Sequence, residues 1–103
     1  MNDSTRMRYP VGNAVVSAEN GDKIGKLVDV RSDDVTLTPE WLVVDPGLFR
    51  SAHYVPARSA YRSADGSLVV PFTKAIVRHS PPARDVMTPE TAVQLREYYG
   101  TAA

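Results

Sequence analysis

The chain has 103 residues, enough for one domain, and its 43% hydrophobic and 23% charged content is that of an ordinary globular protein. Twelve Lys plus Arg against twelve Asp plus Glu give a formal net charge of zero, which removes the whole-chain case for a nucleic-acid or membrane-surface binder. With no cysteine, thiol catalysis, disulfides and Cys-based zinc or iron–sulfur sites are excluded.

In chain order, residues 1–8 are polar and lack the apolar core of a signal peptide, so a cytoplasmic location is expected, and residues 1–10 read as a loosely held tail ending at Pro10. Ala14 to Ala18 reads as a strand, and Asn20-Gly21 is a strong hairpin signal because both positions tolerate positive φ. Ile24 to Arg31 follows, with Ile24, Val28 and Val30 expected on one face and Leu27 and Asp29 on the other. Glu40 to Asp45 is apolar on both faces through Trp41-Leu42-Val43-Val44, so it should sit centrally, and Pro46-Gly47 ends it. That apolar run, the longest in the chain, falls far short of the roughly 20 residues of a membrane helix, so no membrane insertion is expected.

Further short strands are expected at His53 to Pro56, Ala57 to Ser63 and Ser67 to Phe72, the last two joined across Asp65-Gly66. Pro56 and Pro71 fall at strand ends, where a lost backbone donor costs little. Pro81-Pro82 reads as a stiff linker, and Thr88-Pro89-Glu90 as cap, first-turn proline and first-turn acid of a helix from about Pro89 to Tyr99. Ala92, Leu95 and Tyr99 give that helix an apolar stripe, and Gly100 supplies a stop. The expected class is mainly β: a small closed or partly open barrel of about six short antiparallel strands with a short C-terminal helix. Its parts are a flexible tail over 1–10, a barrel over 11–82, and a linker and helix over 83–103.

Motifs for catalysis are absent where they would be legible. Gly21-Asp22-Lys23-Ile24-Gly25-Lys26-Leu27 fails as a phosphate loop: the glycines are one residue too close, Leu27 stands where a hydroxyl belongs, and a strand follows where a helix must. His53 and His79 lie far apart with no ligand-type neighbours, and the Asp33-Asp34 loop lacks the alternating acids of a calcium site. Ser51 near His53 has no orienting acid and no elbow motif. The expectation is a protein that is not an enzyme and takes no cofactor or metal.

Neutrality hides a division. Residues 14–46 hold seven acids against three bases, whereas 47–84 hold Arg50, Arg58, Arg62, Lys74, Arg78 and Arg84 against Asp65 alone. Either the halves interleave and their charges pair across strands, or they form an acidic and a basic face. A basic face would steer head-to-tail association or meet RNA phosphates.

Short motifs follow one another from Gly21-Asp22-Lys23-Ile24-Gly25-Lys26-Leu27-Val28-Asp29-Val30 through Pro39-Glu40-Trp41-Leu42-Val43-Val44, Gly47-Leu48-Phe49 and Tyr54-Val55-Pro56. They continue through Gly66-Ser67-Leu68-Val69-Val70-Pro71-Phe72-Thr73-Lys74 to Ser80-Pro81-Pro82. Their order resembles that of the PRC-barrel family. Thr88-Pro89-Glu90 and Tyr98-Tyr99-Gly100 are similar to the tail of stand-alone bacterial members. Two departures stand out: Ser80 replaces a frequent alanine, and the Val35-Thr36-Leu37-Thr38 loop lacks the usual glycine.

The resemblance implies a small barrel of the kind found in photosynthetic reaction centres and in a ribosome-maturation factor, where it presents a surface and does no catalysis. The expected function is therefore a non-catalytic protein-interaction module. A homodimer is the expected partner state, with Trp41, Leu42, Leu48, Phe49, Tyr98 and Tyr99 as candidate interface, because so small a barrel encloses few side chains and large aromatics anchor interfaces. The alternatives are an RNA- or ribosome-associated factor binding through the basic half, with no DNA expected, and a small-molecule or enzymatic site between barrel and helix.

Overall fold

The computed structural model describes residues 9, 11–33, 35–47, 51–83 and 87–102, with the backbone alone at 101 and 102. Six strands form one sheet: β1 Ala14–Ser17, β2 Lys23–Ser32, β3 Pro39–Asp45, β4 His53–Pro56, β5 Tyr61–Arg62 and β6 Leu68–Val70. Two helices follow, α1 Lys74–Arg78 and α2 Pro89–Ala102. The sheet order is β4-β3-β2-β1-β6-β5, so β4 and β5 are edges and hydrogen bonds do not close the barrel. A mainly β, partly open barrel with a C-terminal helix is the observed class. One neighbouring pair, β1 with β6, is parallel; the other pairs are antiparallel.

Turn chemistry fixes the connections. The β1–β2 hairpin turns at Gly21 (φ 76°), with Ser17 and Asp22 bonded across it and Asn20 Oδ1 accepting from Asp22 N. Asp45 Oδ1 accepts from Gly47 N and ends β3. Asp65 Oδ1 accepts from Ser67 N and Ser63 Oγ, and Gly66 at φ 90° turns the chain into β6. β3 lies between β2 and β4 with all four of its apolar residues buried, as a strand apolar on both faces requires.

Several expectations need correction. The buried apolar side chains of β2 are Ile24, Leu27 and Val30, three apart, with Gly25 also buried, whereas Val28 is exposed. The pairing with β3 skips a residue between Leu27 and Asp29, and that with β1 is irregular opposite Val15 and Val16. Each bulge reverses the face of everything beyond it. The strand expected over Ala57 to Ser63 shrinks to Tyr61–Arg62, because the chain first turns through Ser59 at φ 73°. Gly100 does not stop α2, which runs on to Ala102. Pro82 is more than linker: it bridges to His53, and Ala83 N donates to Ala52 O, lining the outer edge of β4.

The core gathers Val15, Leu27, Leu42, Val44, Val55, Leu68 and Val70 from five strands, with Val77 of α1 and Leu95 of α2. Tyr9, inside the expected tail, is also buried in it. Thr88 Oγ1 accepts from Thr91 N at 3.1 Å and caps α2. The stripe Ala92, Leu95, Tyr99 is buried as its spacing requires. At the far end of α2, Tyr99 Oη donates to Tyr54 O and Tyr98 Oη to Ile76 O, both at 2.5 Å, tying the helix to β4 and α1.

Candidate interaction surface

β2 and β3 are the longest strands, and together they carry an arm whose tip lies between Ser32 and Pro39. Asp33 builds the tip. Its Oδ1 accepts from Val35 N and Thr36 N, both at 2.8 Å, while its own backbone bonds Leu37 N and Thr38 O. Those amide donors hold the Asp33 carboxyl below its ordinary range. Leu37 takes φ 59° in the loop that has no glycine, a conformation that a branched side chain adopts only at a cost. The tip thereby presents Val35, 90% exposed, and Leu37, 63% exposed. Val28 adds a third exposed apolar side chain along the arm, turned outward by the bulge.

Of the six side chains expected at an interface, Trp41, Leu42 and Tyr99 are buried within the chain. Trp41 packs edge-on against Tyr54, and Tyr99 against Phe72 at 4.7 Å between ring centres. Trp41 Nε1 is buried with no acceptor among the described residues. Tyr98 is half-buried, and Leu48 and Phe49 lie outside the described residues. The monomer thus covers the large described residues that look surplus in the sequence. The arm residues that it leaves exposed are not singled out by sequence reasoning, although the glycine-free loop after Asp33 is their one legible sign.

Charge follows the topology. Residues 14–45 fold into the adjacent strands β1, β2 and β3, and the later strands attach at either side of that meander. Within it Lys26 lies opposite Asp45, and Arg31 pairs with Asp29 on the same strand at 3.3 Å, both well exposed. Arg58 follows β4, Arg62 is on β5, and Lys74 and Arg78 are on α1; Arg50, Arg84 and Asp34 lie outside the described residues. Among the described strands the two halves do not interleave.

The buried polar centre joins the secondary elements. His53 Nδ1 lies 2.9 Å from Ser80 Oγ, which donates to Val77 O at 2.6 Å. Since the serine hydrogen is committed to Val77, Nδ1 is the donor to Ser80. Burial holds His53 below its ordinary pKa, offset in part by Ser80. Burial also pushes the Tyr99 phenol well above its ordinary range. His79 caps α1 and is exposed. No group of three or more His, Asp or Glu is placed to hold a metal among the described residues, and no described helix is long and apolar enough to cross a membrane.

No curated protein matches the chain. A family model described as the PRC-barrel domain matches residues 5–77, which takes in every strand of the sheet and most of α1. Six strands in an open barrel, the turn glycines at their expected places and a match over most of the length agree: the chain belongs to the PRC-barrel domain family.

Proposed function

We propose that this protein is a non-catalytic interaction module that self-associates through the β2–β3 arm. One observation carries the reading: the arm spends backbone strain at Leu37 to hold an apolar tip in water. Isolated exposed apolar residues are ordinary on any surface. Among the described residues, however, three of the six large exposed ones, Val28, Val35 and Leu37, fall on a single hairpin. A turn pinned by its own aspartate loses little entropy on docking, which favours binding. Light scattering of V35S/L37S beside the wild type tests this. Weaker association in an otherwise folded variant is expected, and unchanged association rejects the arm.

Charge order favours a second reading, RNA or ribosome association. Arg58, Arg62, Lys74 and Arg78 all fall outside the acidic meander. Binding to RNA that stayed flat as salt rose from about 50 to about 200 mM would reject it, because phosphate contacts release counterions.

A further inference from the structure

Beyond Leu27 the two sides of β2 differ. β3 follows it to Ser32, whereas β1 begins opposite Lys26, and that contact ends where Gly12 and Asn13 bond to Leu27. Among the described residues, Asp29 to Ser32 therefore has a strand on one side only. Val30 faces the open side: its amide donates at 2.8 Å to Oδ1 of the preceding Asp29, in the place of a ladder partner. Residues of an antiparallel ladder face alternate neighbours, so Asp29 and Arg31 bond toward β3 and Val30 faces away. The side chains of Asp29 and Arg31 share the solvent face, joined by their ion pair, while that of Val30 is buried.

We propose that this open edge pairs with the same edge of a second copy, two β2 strands running antiparallel about a two-fold axis at Val30. The proposal rests on the self-association argued above and names its geometry. Charge order selects a second copy as the occupant. Antiparallel pairing about Val30 sets position 29 opposite position 31, so each Asp29 meets Arg31 of the other chain. Acid, apolar, base is a sequence complementary to its own reverse, as an isologous interface demands. The Val30 amide and carbonyl then bond their equivalents, and two opposite-charge pairs form on the solvent face where like charges would repel. In the lone chain the Asp29–Arg31 pair and the Asp29–Val30 bond shield the edge, the protection that charged side chains commonly give exposed strands.

The test uses D29R and R31D, the first at a half-buried position whose side chain reaches solvent and the second at an exposed one, with circular dichroism confirming the fold. By sedimentation at low salt, each variant alone associates at least about tenfold more weakly than wild type, since two attractive pairs become repulsive. An equimolar mixture of the two variants regains the dimer, and so does the double swap D29R/R31D in one chain. The Val30 amide exchanges with solvent more slowly as wild-type concentration rises. A wild-type dimer indifferent to the single swaps keeps self-association and overturns this edge. A double swap as weak as the single ones, or loss of the dimer on deleting residues 1–8, overturns it too, the latter giving those residues a role in the contact. A wild-type monomer overturns both readings.

Discussion

Replacing Leu37 by alanine and by glycine should rank the two variants in the reverse of their usual order. Both substitutions remove the same mostly exposed side chain, so the burial lost is common to both. They differ at the backbone. At φ 59° a residue with a Cβ is less stable than glycine by about 1–2 kcal/mol. Glycine loses more freedom on folding, which returns about 0.4–1 kcal/mol to alanine. The difference leaves L37G more stable than L37A by roughly 0.5–1 kcal/mol, whereas within a strand or helix alanine leads by about that much. Urea unfolding followed by the single buried tryptophan, Trp41, at concentrations where the chain is monomeric, measures the gap. An alanine variant as stable as the glycine one would mean that Leu37 is not held in the left-handed region, and the strained tip would lose its basis.

Other substitutions probe the frame that holds the arm. L95A removes a fully buried side chain of α2 and should cost about 2–5 kcal/mol in chemical denaturation. Y99F keeps the ring against Phe72 but leaves the Tyr54 carbonyl without its donor, for a loss of about 1–3 kcal/mol; a neutral result would sever the helix from β4. At Gly25 a Cβ would come within 2.9 Å of the Asp45 carbonyl carbon and 3.0 Å of Pro46 Cα, both backbone, so G25A should destabilise by about 1–3 kcal/mol. His53 is held below its ordinary pKa, so the unfolded chain binds its proton more readily than the folded one. Its contribution is full above about pH 6.5 and is lost as pH falls toward the lower folded value, with Asp33 and Asp65 adding losses only below about pH 4. Stability of H53Q should be flatter between pH 7 and pH 5, and parallel curves would exclude His53.

Local chemistry explains which features are legible in the sequence. Asn20-Gly21, Pro46-Gly47 and Asp65-Gly66 mark turns because their residues meet the turn's own backbone demands, and Trp41 to Val44 marks an enclosed strand because both faces need cover. The exposed position of Val28 is not legible, since a bulge changes facing without changing composition. α1 escapes notice because of its length: five residues show no periodicity, and only the Thr73 hydroxyl, accepting from Ile76 N, announces it. Trp41, Leu42 and Tyr99 look like surplus until the chain's own cover for them is known. Val35 and Leu37 look like core by type, and only the bonds of Asp33 show them turned to water.

Self-association stands at the centre of the account, and sedimentation equilibrium of the wild-type chain from about 1 to about 100 μM tests it most directly. A dimer is predicted, at twice the 11.3 kDa chain mass, with the monomer growing in on dilution. A single 11.3 kDa species across the whole range would contradict it.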